Sequence, residues 1–312
     1  MNNYRLFAEK YLEVFEPLFE AAEKVSEFDV ILALLGIRGV QASGWDPFEN
    51  TESVVEDLQK HQARLRHSVK ANVNLWAYAH VIESSENYEL VANLLEIAQG
   101  GNFKIANHRS KQPTYKNLRV ADKIARLTSM AKGTAFESIS DPFKDVFDSK
   151  FRNALYHADY SIKDGGVTFF GDDHYPTFYD RQHVIDLINK SLALHNVLHG
   201  LRKQFVGQYL EPKQVMCSPG FGRGKPFPVT LLVRRGHGVI GFKGLSNETD
   251  LGASIEVAMY RCLPYEKPLI QAGQTFMPRN RIQALNNVLD KMPVPVATFL
   301  ASRIGKLRYF TG

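Results

Sequence analysis

The chain has 312 residues, 44% hydrophobic and 23% charged, proportions that suit one large globular core or two moderate ones and exclude a disordered chain, a collagen or a coiled-coil rod. Its net charge of +5 is mild, and its two cysteines, Cys217 and Cys262, are too few for a disulfide framework and lack the CxxC spacing of a zinc site. The longest apolar run, Val30 to Leu35, is too short to span a bilayer, and Met1-Asn2-Asn3-Tyr4-Arg5 lacks a signal-peptide layout, so a cytoplasmic protein with no membrane partner is expected.

The first two thirds read as helix. Leu6, Phe7, Tyr11, Val14, Phe15, Leu18, Phe19, Ala22 and Val25 recur in steps of three and four, with Pro17 as a point of kinking or division. Gly36, Gly39, Gly44 and Pro47 mark a loop, after which Thr51 opens a long helical stretch through Val54, Val55, Leu58, Leu65, Val69, Val73, Trp76, Ala77 and His80. Ser84-Ser85 breaks it, and Tyr88 to Ala98 is a further helix ending at Gly100-Gly101. Beyond a polar loop from Asn102 to Asn117, Leu118, Ala121, Ile124, Ala125 and Leu127 form another apolar face.

Ser140-Asp141-Pro142 predicts a helix start, with Asp141 as N-cap and Pro142 at the first helical position, running to about His157 or Asp159. Tyr160 to Lys163, a turn at Asp164-Gly165-Gly166, and Val167 to Phe170 read as a β-hairpin. A long helix comes next, from about Asp180 to Val206. Near Glu211 the composition shifts to prolines and glycines, as in a linker. Val229 to Val233 and Val239 to Phe242 predict a second hairpin, Ile255 to Tyr260 a strand, and Arg281 to Lys291 and Val296 to Leu307 helices. The economical architecture is mainly α: a helical domain with a β-hairpin insertion over residues 1–210, then a small α+β domain over residues 211–312.

Charge is unevenly spread. Residues 1–60 carry five basic against twelve acidic side chains, whereas residues 211–312 carry fourteen against six. Phe103 to Lys132 holds eight basic residues and a single acid, Asp122. Such stretches suit a polyanion such as RNA, or else a solvated helix face. Arg119, Lys123 and Arg126 fall together on one side of their predicted helix, and Arg234 and Arg235 lie at a predicted hairpin tip; these five are the candidate nucleic-acid contacts.

The segment from Phe151 to Tyr160 carries the candidate catalytic set: Arg152, Asn153 and His157. Arginine stays cationic and grips phosphate oxygens with a planar fork, and histidine moves protons near neutrality. RNA strand scission needs both functions. Asn153 and His157 lie one turn apart on a shared face, whereas Arg152 is about 140° around the helix from His157. Either the long arginine reaches over, or the same helix of a second protomer completes the site. The plain structural alternatives are an Asp148–Arg152 helix pair and a histidine that favours the helix dipole.

Arg152-Asn153-Ala154-Leu155-Tyr156-His157 resembles the Arg-x4–6-His motif of the HEPN superfamily, in which a polar residue often comes directly after the arginine. The Ala158-Asp159-Tyr160 continuation and the hairpin turn are similar to the segment after the motif in many bacterial members. The resemblance covers about residues 140–205. It implies an all-α bundle, a homodimer with a composite site, and a metal-independent endoribonuclease that needs no cofactor. It also implies a toxin–antitoxin or antiviral (abortive-infection) setting, with an antitoxin or other defence-system partner. In that reading Arg152 and His157 are catalytic and Asn153 supports them. Cleavage would use the RNA's own 2′-hydroxyl and leave 2′,3′-cyclic phosphate and 5′-hydroxyl ends. The alternative is a non-catalytic HEPN-like module that binds RNA or protein, with the C-terminal domain as sensor. A two-stranded insertion after the motif helix departs from the plainest four-helix form.

Other constellations carry less. Asp141, Asp145 and Asp148 could be metal ligands on one helix face, but acids in a first turn ordinarily offset the helix dipole, and no metal is expected there. His195 and His199 have zinc-like spacing without a HExxH glutamate or evident third ligand. Ser218 to Pro226 approaches a phosphate loop, but Pro219 replaces its first glycine and Pro226 its hydroxyl residue.

Overall fold

The computed structural model describes residues 3–36, 47–61, 64–104, 107, 118–163, 165–170, 175–218, 226–236, 238–244 and 258–260. In chain order these form α1 (Tyr4–Val25), α2 (Glu27–Leu34), α3 (Pro47–His61), α4 (His67–Glu83), α5 (Ser85–Ala98) and α6 (Val120–Ala131). A 3-10 turn (Glu137–Ser140) leads into α7 (Asp141–Val146) and α8 (Ser149–His157). Next come β1 (Tyr160–Lys163), β2 (Gly166–Phe170), β3 (Pro176–Asp180) and α9 (Arg181–Gly207). The last strands are β4 (Gln214–Met216), β5 (Pro228–Arg234), β6 (Gly238–Gly244) and β7 (Ala258–Tyr260). The protein is thus mainly helical with small antiparallel sheets.

The chain divides into two compact units: Met1–Val25, Phe48–Gly101 and Ala106–Arg202 in the first, Ser26–Pro47, Asn102–Ile105 and Lys203–Gly312 in the second. A linear cut at residue 210 does not describe this division. Segments from the N-terminal part belong to the C-terminal unit because α2 packs on β4 and its Asp29 is tied into that unit. Buried Asp29 accepts from the Phe103 N–H (3.1 Å), the Ser218 hydroxyl (3.2 Å) and the Ser26 hydroxyl (2.6 Å). Three hydrogen bonds to one buried carboxylate satisfy a group that would otherwise be costly inside.

In the first unit α1 runs through Pro17 as one helix and buries Tyr11, Phe15, Leu18, Phe19 and Ala22, the middle of the predicted stripe, while Leu6 and Val25 at its ends are exposed. It packs on α5, whose residues from Glu86 to Leu95 are all buried, as expected of a helix covered on every side. Phe143 joins the two, edge-on to Phe15 at 5.9 Å and 4.7 Å from the Tyr88 ring. The predicted helix from Thr51 to His80 is two helices. The chain leaves helical geometry before Arg66, whose ψ of 150° is extended, where a polar run separates the apolar positions and no glycine or proline announces the break. Val69 and Trp76, predicted on the apolar face, are exposed.

The predicted hairpin is a three-stranded meander, β1-β2-β3. Its inner face sets Val167 and Phe169 against Phe151 of α8, with Phe151, Phe169 and Tyr179 rings 4.9–5.5 Å apart. At Gly166 a Cβ would lie 2.0 Å from the Tyr179 carbonyl, so the β2–β3 approach requires glycine.

In the second unit β4-β5-β6-β7 form an antiparallel sheet with an irregularity at Leu232/Val233. The predicted β5–β6 hairpin is present, and β4 occupies part of the segment whose composition reads as a linker. Cys217 is buried there, its thiol pushed up to about 12 by burial and by Asp29. Among the described residues no helix is long and apolar enough to cross a membrane. The expected helices at 281–291 and 296–307, and most of the Ser218–Pro226 loop, lie outside the described residues.

Candidate active site

Helix α8 carries the candidate residues and is defined at both ends. The expected single helix from Asp141 is interrupted at Phe147-Asp148. Ser140, not Asp141, precedes α7. Asp148 is instead the N-cap of α8: its Oδ1 accepts from the Phe151 N–H at 2.9 Å. Its other oxygen accepts from the Tyr179 hydroxyl at 2.5 Å. Asp141 pairs with Lys144 at 2.9 Å and Asp145 with Lys10 at 2.5 Å, so the three acids face three different partners. The alternative reading of an Asp148–Arg152 side-chain pair does not hold: Asp148 caps the helix and Arg152 turns to Glu83.

At its other end α8 closes with Ala158 in the left-handed conformation (φ 58°, ψ 26°), the only non-glycine at positive φ among the described residues. The Asp159 N–H reaches back to the Ala154 carbonyl at 2.9 Å and that of Ala158 to Leu155 at 3.4 Å, a Schellman closure directly after His157.

Between these ends, α8 and the start of β1 run antiparallel to one stripe of α4. Arg152 Nε donates to Glu83 at 2.5 Å, Tyr156 hydroxyl reaches the Ala79 carbonyl at 3.5 Å, and Tyr160 hydroxyl donates to Asn72 at 2.8 Å. The Arg152 Nη2 also contacts Glu83, and Nη1 donates to Asn153 Oδ1 at 2.7 Å. Its guanidinium lies 4.8 Å from the Tyr156 ring centre. The fork is therefore fixed by a carboxylate, an amide and an aromatic face. Burial and the Glu83 charge raise the Tyr156 phenol, and Arg152 opposes that rise. His157 is exposed in the last turn and makes no hydrogen bond or ion pair with the described residues. Arg152 and Asn153 are brought together; His157 points elsewhere, as the 140° separation requires.

The predicted basic face on α6 divides. Arg119 is exposed and Arg126 half-buried, but Lys123 is only 3% exposed. Its Nζ donates to the Ser85 hydroxyl at 2.8 Å and sits 5.2 Å from the Tyr88 ring. Burial lowers its pKa, while Glu83, Glu89 and Glu86 hold it up. Lys123 lies one turn from Val120 and Leu127, on the edge of the stripe that packs inward, and so cannot offer its charge to a polyanion. Arg235 is exposed at the β5–β6 turn, and Arg234 closes β5 opposite Gly238. His195 is buried with its ring 6.0 Å from that of His199 and near-parallel to it.

No protein-family profile, curated protein or solved structure matches the chain. The likeness of the α8 segment to a known motif thus rests on those residues alone. Sequence reasoning missed Glu83, which sits 69 positions from its partner with no local signal. It also gave no role to Tyr156, although it stands inside the motif segment.

Proposed function

We propose that the first unit is a HEPN-type, metal-independent endoribonuclease. The observation that carries this reading is the pairing on α8 of an arginine held in a fixed orientation with an exposed histidine one residue before the helix closes. Such a pair supplies the groups that 2′-hydroxyl attack on RNA needs. A base takes the 2′-hydroxyl proton as the 2′-oxygen–phosphorus bond forms. The phosphorus–5′-oxygen bond breaks, and an acid protonates the departing oxygen. His157 serves as the acid or base, and Arg152 holds the charged oxygens of the phosphorane. Asn153 accepts from Arg152 and orients it. Dimerisation, an antitoxin or other partner, and a role in antiviral defence belong to the same reading. Its support is the motif and the rigid setting of Arg152. The test is RNA cleavage by the double variant Arg152→Ala/His157→Ala: activity equal to wild type ends the proposal.

One observation favours a second reading, a non-catalytic RNA- or protein-binding module. Glu83 already neutralises Arg152, and His157 does not touch it. Substrate phosphate must then compete with Glu83 for the guanidinium, or a second protomer must bring its own histidine. Binding of uncleaved RNA by wild type, without strand scission at any protein concentration, is the result this reading expects.

A further inference from the structure

The stripe of α4 that faces α8 contains an exposed tryptophan. Val69, Asn72, Trp76, Ala79 and Glu83 succeed one another in steps of three and four and so share one side of the helix. Three of them are engaged from α8 and β1: Glu83 by Arg152, Ala79 by Tyr156, Asn72 by Tyr160. Trp76 lies between the last two contacts, one turn from Asn72 and one from Ala79, yet remains 56% exposed. Tyr156, next to His157, is 52% exposed. Large aromatics left open beside engaged neighbours present π-faces to whatever passes the site.

The segment leading into α4 is rich in basic side chains, and the exposed Asp159 lies next to Tyr160 on the other side of the stripe. Lys60, Arg64, Arg66 and Lys70 precede Trp76, and Lys60 is paired with Glu56 one turn away on α3 at 3.4 Å. All four basic residues are exposed. Arg66 stands directly before the first turn of α4, whereas Lys70, six residues from Trp76, lies about 120° around the helix from it. At the far end of the stripe the Glu83 charge is taken up by Arg152. An open aromatic face on a helix entered through Arg64 and Arg66 matches single-stranded nucleic acid, whose bases stack and whose phosphates are neutralised. Duplex RNA, with its bases already stacked, gains nothing from an isolated indole.

We propose that Trp76 is a base-stacking shelf for single-stranded RNA, with Arg66 at the start of α4 holding a phosphate of the strand leading to Arg152 and His157. This assignment rests on the ribonuclease reading for its substrate class and adds where the strand lies.

The chain has two tryptophans, Trp45 and Trp76, so a Trp45→Phe protein reports on Trp76 alone. Titration with a 2′-O-methyl single-stranded oligonucleotide, which resists cleavage, is expected to quench that fluorescence saturably, while a duplex of the same sequence does not. In the otherwise native chain, Trp76→Ala should weaken oligonucleotide binding about tenfold or more and Trp76→Phe much less. Arg66→Ala should reduce the slope of log affinity against log salt by about 0.7. Unchanged affinity in Trp76→Ala alongside intact RNA cleavage overturns the shelf and leaves the ribonuclease reading standing. Saturable Trp76 quenching by single strands without any cleavage supports the shelf and removes the ribonuclease. A Trp76 signal that tracks protein concentration and ignores RNA overturns the shelf and assigns this surface to a second copy of the chain.

Discussion

The Tyr179 hydroxyl donates to Asp148 at 2.5 Å, and Asp148 caps the helix that carries Arg152 and His157. A β3 residue thereby sets the start of α8, which is why the small sheet matters to a site made of helix residues. Burial, then the bond to Asp148 and its charge, raise the Tyr179 phenol, so it stays protonated and donating well into alkaline solution. Asp148→Ala removes both the cap and the phenol's acceptor and should cost about 2–3 kcal/mol in urea denaturation. Tyr179→Phe, which keeps the cap and the ring packing, should cost about 1–2 kcal/mol.

Glu83 is the residue through which the fold orients Arg152. The pair is about 30% exposed on each side, so Glu83→Gln should change stability by no more than about 1 kcal/mol. Its effect on RNA cleavage should be larger, a fall of about tenfold, because a loosened guanidinium no longer waits in position. Steady-state kinetics on a defined RNA would check this. A kcat equal to wild type would assign Glu83 to structure only.

The helices around the site were legible where one face is apolar. The centre of the α1 stripe and the β1–β2 hairpin with its glycine turn emerge from spacing alone, whereas on α6 Ile124 and Leu127 are buried as read but Ala121 and Ala125 are exposed. Periodicity could not convey a break without breakers. The α3–α4 and α7–α8 interruptions carry no glycine or proline, and the second is made by a side chain, Asp148, whose partner Tyr179 is 31 residues away. Lys123 was misread for a related reason. Polar residues at the border of an apolar stripe look solvated in a sequence, yet Glu83 at the end of α4 with Glu86, Glu89 and the Tyr88 ring of α5 accommodate this one inside. Arg152, Asn153 and His157 were legible as a motif; Glu83 and Trp76 acquire meaning only from the antiparallel approach of α4 and α8.

Acid sensitivity should trace in part to His80. Burial lowers its pKa in the folded protein, and its Nε2 is buried without a hydrogen-bond partner among the described residues. Since the unfolded chain then takes up the proton more readily, stability is fully present above about pH 6.5 and declines as the pH drops towards the lower folded value. Denaturation midpoints at pH 7.5 and 5.5 should differ less in His80→Asn than in wild type. Equal pH dependence in the two proteins would contradict the assignment.

The left-handed Ala158 carries a backbone cost that glycine would relieve. Ala158→Gly should raise stability by about 1 kcal/mol without altering the Schellman closure. Thermal unfolding resolves a change of that size.

The central claim is that His157 and Arg152 cleave RNA through its own 2′-hydroxyl. Mixed RNA incubated in EDTA with wild type and with His157→Ala, with analysis of the ends produced, tests it most directly. The account predicts 2′,3′-cyclic phosphate and 5′-hydroxyl ends from the wild type and at least a roughly hundredfold slower cleavage by the variant. Intact RNA in both reactions, or equal cleavage by both proteins, would contradict it.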